Sequence, residues 1–251
     1  MLSVSTALAR LQDGLGESFP DSPGTRIIDI AFPLNDAFDP LLWCGQQAQW
    51  PQFYWQQRNG DEELATLGAV KTFPSLDAAN RFLRQTGRQN LRIGGLNAFE
   101  PQQGSLVLPR LEWRRCGGRA VLRLVLHSDI SLREDAATAR AFLASLTTTQ
   151  ATPGAIPPLL SERHSSDYSQ WQAMIARATK AISAGEMDKV VLARATDLQF
   201  AAPLDAVSIM AGQPPSLCRR WQISSTTSIF SRWFLSSFIN QSASCCAFAS
   251  S

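Results

Sequence analysis

Over residues 119–126, apolar residues occupy every second position, and this pattern constrains the fold more than that of any other stretch. One set of alternate positions is entirely apolar: Ala120, Leu122, Leu124 and Leu126. The positions between them are mixed: Arg119, Val121, Arg123 and Val125. Such a period predicts an antiparallel strand that buries one face. The preceding segment "LEWRRCGG" ends in two glycines, so we predict a hairpin over residues 111–127 that turns at residues 117–118.

Four arginines follow the two arms of this hairpin: Arg114, Arg115, Arg119 and Arg123. Such a group can be mistaken for a phosphate site. Charged side chains are seldom fully buried, and we interpret these four as the water-facing side of a sheet. The hairpin is therefore predicted to be structural.

The rest of the first 150 residues carries further strand and helix patterns. "QFYWQQ" and "ELATLGAV" flank an Asn-Gly pair, which predicts a second hairpin that turns at residues 58–61. Other predicted elements are strands at residues 25–32, 91–96 and 105–108, and helices at residues 2–16, 74–85 and 131–146. Strands in hairpins with helices between them indicate an α+β fold with largely antiparallel sheets. The sequence has no GxGxxG or P-loop pattern, which argues against a parallel nucleotide-binding fold.

A further helix is predicted after Ser166 or Asp167, either of which can cap it. Its apolar residues recur at helical spacing: Trp171, Met174, Ile175, Ala178, Ala181 and Ile182. Gly185 follows and is suited to end the helix in the left-handed conformation. Residues 151–165, before the helix, hold three prolines and are predicted to form a linker.

Composition argues against several classes of function. The 251 residues are 45% hydrophobic and 18% charged, which suits a chain with a buried core. The net charge of +2 gives no basis for a nucleic-acid or membrane partner. We recognise no transmembrane run and no signal peptide, so we expect a soluble, cytoplasmic protein. The five cysteines and two histidines show no zinc spacing, and His127 and His164 are interpreted as surface or turn residues.

Lys189 opens an apolar run, "KVVLAR", that predicts a strand at residues 189–194. Two interpretations of this lysine are open. It can simply begin the strand with its ammonium group in water, as most lysines do. Alternatively it can be partly withdrawn from water, where the charged form is disfavoured and a neutral amine can accept a proton. The spacing of the residues does not distinguish the two.

The segment "GEMDKVVLARATDL", residues 185–198, closely resembles the stretch that opens the chorismate-binding domain of isochorismate synthases. Four more segments are similar to the N-terminal region of the menaquinone-pathway isochorismate synthases: "IDIAFPLNDAFDPLLW", "YWQQRNGDEE", "LRIGGLNAFEPQQG" and "LPRLEWRRCGG". The resemblance runs from about residue 1 to about residue 210. It implies an anthranilate synthase component I-like fold, since that enzyme belongs to the same chorismate-using family.

The resemblance also implies a reaction and a site. The implied site lies between two β-sheets, where water adds to one ring carbon of chorismate while a hydroxyl leaves from another. Lys189 is implied to be the general base that activates the water. In the family a glutamate protonates the leaving hydroxyl, and two more glutamates hold Mg²⁺, which binds the substrate carboxylate. Relatives that add ammonia carry another residue at the lysine position, so Lys189 favours a water-adding enzyme.

The resemblance stops near residue 212. The last acidic residue is Asp205, and residues 212–251 are rich in serine, lack lysine and keep no helical or strand period for long. We interpret them as the aberrant, out-of-frame end of a truncated gene product. The alternative is a genuine divergent tail that touches a membrane through its aromatic residues. The predicted organisation is an N-terminal α+β region at residues 1–150, a linker at 151–165, the start of a chorismate-binding domain at 166–211 and the aberrant tail at 212–251.

The sequence therefore predicts a truncated isochorismate synthase that takes chorismate as its substrate. Lys189 is its predicted catalytic residue, and the chain is predicted to lack the Mg²⁺ ligands of the family and to be inactive by itself. Two alternatives stay open: another chorismate enzyme such as a salicylate synthase, and a non-catalytic remnant or binding protein. The oligomeric state is not predicted.

Overall fold

The computed structural model describes residues 3–33, 38–57, 62–87, 91–97, 104–116, 118–212 and 219–223. These residues divide into two compact units. Unit 1 comprises the described residues up to Pro153 together with residues 210–212 and 219–223. Unit 2 comprises Gly154–Ile209.

The secondary structure alternates strands and helices along the chain. The strands are β1 (Gly24–Pro33), β2 (Gln52–Gln56), β3 (Glu62–Phe73), β4 (Gly94–Asn97), β5 (Gly104–Cys116), β6 (Arg119–Ser128), β7 (Leu159–His164), β8 (Thr196–Phe200) and β9 (Arg219–Ile223). The helices are α1 (Val4–Gly14), α2 (Pro40–Gly45), α3 (Leu76–Thr86), α4 (Leu132–Ala144), α5 (Tyr168–Ser183) and α6 (Ala206–Ala211).

The strands of unit 1 form one seven-stranded sheet in the order β1-β6-β5-β3-β2-β9, with β4 paired to β5. All neighbouring strands are antiparallel. Both predicted hairpins are present, as β2–β3 and β5–β6, and their predicted turns at residues 58–61 and at Gly117 lie outside the described residues. The predicted α+β fold with largely antiparallel sheets is confirmed.

The predicted buried face of β6 is confirmed. Four of its residues are fully buried: Ala120, Leu122, Leu124 and Leu126. Helices α1 and α4 pack against the sheet at β1 and β6 and also against each other. Their own buried residues include Leu8 and Leu11 from α1 and Ala136 and Ala139 from α4. A layer of helix on sheet forms one hydrophobic core of unit 1.

The opposite face of β6 is also covered, which corrects one sequence prediction. Helix α3 contributes to a second buried cluster that includes Phe73, Phe82, Leu83 and Val125. Arg123 is only 5% exposed, and its guanidinium binds both oxygens of Asp29 at 2.8 Å. Because β1 places Asp29 directly opposite Arg123, the buried charge is compensated. The water-facing interpretation is therefore wrong for Arg123, whereas Arg119 is exposed as predicted.

The helices begin at capping residues that the sequence supplies. Ser75 caps α3, and its hydroxyl accepts a hydrogen bond from the N–H of Ala78 at 3.3 Å. Asp167 caps α5 in a reciprocal capping box with Gln170. Gly185 follows α5 with a φ of +73°, the left-handed conformation that was predicted for it.

Unit 2 differs from its sequence prediction in two places. The predicted linker contains β7, which pairs antiparallel with β8. The predicted strand at residues 189–194 does not form. That segment is irregular, and strand β8 begins at Thr196. A strand forms where a neighbour supplies the ladder of hydrogen bonds. Strand β7 supplies that neighbour to residues 196–200.

Residues 219–223 lie in the predicted aberrant tail and nevertheless form β9, which pairs antiparallel with β2. The free edge of a strand offers backbone N–H and C=O groups to any extended segment, whatever the side-chain pattern of that segment. These five residues therefore form a strand although the tail keeps no strand period for long. The tail after Ile223 lies outside the described residues.

Candidate functional site

Lys189 lies in the irregular segment that joins α5 to β8. The last turn of α5 is closed by hydrogen bonds from Gly185 N–H to Ile182 O and from Glu186 N–H to Ala181 O, both at 3.0 Å. The lysine side chain is exposed, and no hydrogen bond or ion pair within the described part of the chain involves it. The structure thus places the predicted general base in water.

The far end of this segment is held by the β7–β8 pair. Ser165 N–H donates to Ala195 O at 2.9 Å, and Ala195 N–H donates to Ser165 Oγ at 3.0 Å. Between the two anchored ends, Val190 is 40% exposed and Val191 is 75% exposed. Lys189 therefore belongs to a segment that is hydrogen-bonded at both ends and exposed in the middle.

The two interpretations of Lys189 make different demands on its surroundings. A lysine acts as a base when its surroundings exclude water and disfavour the ammonium form. The described residues do not enclose Lys189 in this way. A catalytic role for Lys189 stays a prediction, and it requires a further covering surface.

The described residues bring together no metal site. No group of three histidine, cysteine, aspartate or glutamate side chains comes within ligating reach of one ion among them. Magnesium prefers several hard oxygen ligands around one centre. The described part of this chain therefore does not fit the Mg²⁺ that the resemblance implies.

His127 lies in a polar cluster that no sequence pattern indicated. Its side chain is 10% exposed on β6, so the prediction of a surface or turn residue is wrong. Its Nδ1 lies 2.8 Å from Thr25 Oγ1, and its Nε2 lies 3.4 Å from Lys71 Nζ. Asp129 completes the cluster, 2.6 Å from Lys71 Nζ and 3.3 Å from His127 Nε2. Burial first, and then the charge of Lys71, lowers the pKa of His127.

This cluster connects three strands of the sheet, because Thr25 lies on β1, Lys71 on β3 and His127 on β6. Register explains the meeting of the first and last, since Thr25 is directly opposite His127. These partners are 102 and 56 residues away from His127 in sequence, so only strand order brings them together. Phe82 of α3 packs edge-on against the His127 ring, with ring centroids 4.9 Å apart, so the cluster also connects the end of the sheet to α3.

One known protein family combines an antiparallel α+β fold with a segment like the one that holds Lys189. The profile of the family described as "Chorismate binding enzyme" matches residues 96–230, more than half of the chain. The chain belongs to this family of chorismate-binding enzymes. The matched region contains all of unit 2, including Lys189, and also part of unit 1.

Individual relatives show which members of the family this chain is similar to. The chain is 55% identical over 212 residues to isochorismate synthase MenF of Escherichia coli, covering 84% of this chain and 49% of that relative. It is 29% identical over 176 residues to the Haemophilus influenzae MenF, covering 70% of this chain and 39% of the relative. The Pasteurella multocida MenF is 27% identical over 184 residues, with coverages of 72% and 42%. The resemblance to isochorismate synthases predicted from the sequence is confirmed.

A solved structure of the menaquinone-specific isochorismate synthase MenF from Escherichia coli has the same fold over the shared part. The TM-score is 0.76 at 55% identity, and the superposition covers 84% of this chain and 49% of that one. The chain thus spans about half the length, or less, of the curated relatives it matches. The predicted boundaries at residues 166 and 212 stay predictions.

Proposed function

We propose that this chain is the N-terminal part of an isochorismate synthase that converts chorismate to isochorismate. The observation that carries the proposal is the 55% identity to the Escherichia coli MenF over 212 residues. The fold supports it, with a TM-score of 0.76 to the menaquinone-specific enzyme. Menaquinone biosynthesis is accordingly the proposed context. Because the chain spans about half of that relative, the activity is proposed for an enzyme to which this chain contributes one part.

The proposed role of Lys189 is to remove a proton from the attacking water. Water is a weak nucleophile until it loses that proton, and an amine held in its neutral form can accept it. The departing hydroxyl needs a separate acid, because hydroxide is a poor leaving group. The resemblance assigns that acid to a glutamate beyond the matched stretch, so we propose no residue of this chain for it.

Other features of the whole enzyme are proposed on the resemblance alone. Mg²⁺ is proposed only for the complete enzyme, since the described residues of this chain bring no carboxylate cluster together. Chorismate is the proposed ligand, and a cytoplasmic location is proposed from composition. Among the described helices, none has the length and apolar character to cross a bilayer.

A fusion protein tests the proposed activity. Residues 1–211 of this chain are joined to the half of the Escherichia coli MenF that the chain does not match, and chorismate is supplied with Mg²⁺. We expect the fusion to form isochorismate and the 251-residue chain alone to leave chorismate unchanged, as followed by liquid chromatography. A folded fusion without isochorismate formation contradicts the proposal. Release of salicylate and pyruvate instead indicates the runner-up, a salicylate synthase.

Variants of the same fusion test the role of Lys189. Lys189→Ala is expected to lower kcat by about 100-fold or more, because general-base catalysis contributes on the order of 10²–10⁴. Lys189→Arg keeps the positive charge without a usable base and should be equally impaired. Lys180→Ala, an exposed lysine on α5, is the matched control and should retain kcat. Near-normal turnover by Lys189→Ala would remove this residue from the mechanism.

One observation favours the non-catalytic alternative for the chain acting alone. Lys189 and its neighbours Val190 and Val191 are exposed in this structure. A purified chain that is monomeric, unfolds cooperatively and binds chorismate without converting it supports that alternative. An insoluble or rapidly degraded chain argues against it.

A further inference from the structure

Strand β9 covers the outer edge of β2 in the sheet of unit 1. The sheet order places β2 between β3 and β9. The antiparallel pairing extends over all of both strands, from Gln52 opposite Ile223 to Gln56 opposite Arg219. Residues 219–223 belong to the predicted aberrant tail, so a segment without a strand period pairs with this edge. The edge of β2 therefore accepts a further strand through its backbone groups.

The backbone groups of β2 alternate between its two neighbours. The N–H of Gly68 on β3 donates at 2.9 Å to the carbonyl oxygen of Pro51, the residue before β2. Odd-numbered residues of this stretch thus direct their N–H and C=O groups to β3, and even-numbered residues direct theirs to β9. Tyr54 lies at the centre of β2, directly opposite Trp221. Tyr54 and Trp221 are therefore a pair that exchanges two backbone hydrogen bonds.

The five residues of β2 carry none of the features that protect an exposed strand edge. They include no charged residue and no proline, and their register with β3 is continuous. Phe53 and Trp55 belong to a buried cluster with Leu64. Tyr54 is only 1% exposed. An apolar, regular edge of this kind pairs readily with another strand when it is uncovered.

The sequence of β2 is complementary to itself in an antiparallel arrangement. A two-fold axis at Tyr54 places Phe53 of one copy directly opposite Trp55 of the other. In that register each aromatic pair occupies a non-hydrogen-bonded position, where side chains lie closest, and such cross-strand pairs stabilise a sheet. Strand β9 instead places Gln222 and Arg220 at these two positions. A second copy of β2 therefore matches this edge better than β9 does.

We propose that the edge of β2 is a self-association surface for β2 of a second copy of this chain, and that β9 blocks it. Strand β9 belongs to the same chain as β2, and a linked segment acts at an effective concentration on the order of millimolar. A second copy at micromolar concentration competes poorly with it. Once paired, β9 is itself an edge strand that carries Arg219 and Arg220, and charged residues on an edge oppose further pairing. This inference does not depend on the proposed function.

The test uses the full 251-residue chain and variants of β9. Trp221→Pro removes an N–H that donates to β2, so β9 can no longer pair there. Gln222→Pro is the matched control, because the N–H of Gln222 points away from β2 and an edge strand tolerates proline on that side. Trp221→Ala keeps the backbone N–H and controls for loss of the indole ring. Light scattering after size-exclusion chromatography measures the mass of each protein over a range of concentrations.

We expect the unmodified chain, Gln222→Pro and Trp221→Ala to be monomers of 27.5 kDa. Trp221→Pro is expected to form a dimer of twice that mass, with an association constant at least about 100-fold higher than that of the unmodified chain. A monomeric Trp221→Pro that retains the β-sheet signal in circular dichroism overturns the inference. Equal association of Trp221→Pro and Gln222→Pro, or assembly of the folded variant beyond a dimer, also overturns it.

Ile223→Pro is the second variant if Trp221→Pro does not fold. Ile223 lies opposite Gln52, which also faces β9, and the change acts at the end of the strand, where it disturbs least. Hydrogen exchange locates the interface. The amide of Tyr54 should exchange at least about tenfold more slowly in the dimer than in the same variant diluted to the monomer. A dimer that leaves this amide unprotected has formed through another surface and contradicts the inference.

Discussion

Arg110 and Asp135 form a buried ion pair that connects β5 to α4. The guanidinium binds both carboxylate oxygens at 2.6 Å, and the side chains are 6% and 13% exposed. Arg110 also donates to Val125 O, and Asp135 accepts the backbone N–H of His127, both at 2.9 Å. Both charged groups are thus hydrogen-bonded to several partners and are largely shielded from water.

Asp135→Ala is expected to lower the free energy of unfolding by about 3–5 kcal/mol, because it leaves the Arg110 guanidinium buried and unpaired. Urea denaturation followed by circular dichroism measures this change. The control is Asp197→Ala, which removes the partner of Arg163 from an exposed pair at 2.9 Å. That control should cost about 1 kcal/mol or less. Similar losses in both variants would show that burial does not strengthen the Arg110 pair.

His127 should make stability depend on pH. Its pKa in the folded chain lies below the ordinary value of 6.5, since burial and the charge of Lys71 disfavour the protonated ring. The unfolded chain therefore takes up the proton at higher pH than the folded chain. The stability that neutral His127 contributes is fully present above pH 6.5, and it is lost as the pH falls through the pKa of His127 in the folded chain.

His127→Asn is therefore expected to flatten the dependence of unfolding free energy on pH just below 6.5. The pKa of Asp129 is lowered chiefly by its hydrogen bond to Lys71, so Asp129 affects stability in a separate pH range, below 3.8. Denaturant titrations at several pH values measure the effect. An unchanged slope in His127→Asn would contradict it.

At the scale of the elements, Gly68 shows how closely α4 approaches β3. Gly68 has a φ of +67° beside an irregularity in the strand register, and its N–H donates to Pro51 O at 2.9 Å. A Cβ atom at this position would lie 2.7 Å from the ring of Phe142 on α4. Both the backbone conformation and the helix contact require glycine here.

Gly68→Ala is expected to destabilise unit 1 by about 2–3 kcal/mol, from backbone strain together with the clash against Phe142. Gly87→Ala separates the two causes. Gly87 has a φ of +58°, and an added Cβ would meet nothing within 4 Å, so strain alone should cost about 1 kcal/mol. Thermal unfolding of both variants provides the comparison. A loss at Gly68 no larger than that at Gly87 would exclude the clash.

The elements also show where sequence patterns succeed. The hairpins β2–β3 and β5–β6 pair strands that are neighbours in sequence, so their periods and glycine turns suffice to predict them. The segment at 189–194 has a good strand pattern and forms no strand, because the described residues place no neighbouring strand beside it. Conversely, β9 forms from a segment without a strand period because β2 offers it an edge.

For the whole molecule, the two units differ in how much apolar surface each covers. The sheet of unit 1 has buried residues on both faces, whereas α5 in unit 2 has none. Local unfolding is rarest where backbone hydrogen bonds lie beneath packed side chains. In the chain alone, amides of α5 should therefore exchange at least about tenfold faster than those of β5 and β6.

Hydrogen exchange read by mass spectrometry measures that difference. Helix α4, which is similar in length to α5 and buries four residues, is the matched comparison and should be protected like the sheet. Equal protection of α4 and α5 would show that α5 is covered within this chain.

Local patterns in the amino-acid sequence were sufficient for the α+β class, the two hairpins, the capped helices, the buried face of β6 and the resemblance to isochorismate synthases. These depend on periods of two and 3.6 residues, on turn and capping residues, and on motifs, all of which are local. The tertiary structure alone showed the buried pair of Arg123 with Asp29, the His127 cluster and the exposure of Lys189. Those features depend on which distant strands become neighbours and on which surfaces are buried by other elements. A local sequence period does not carry that information.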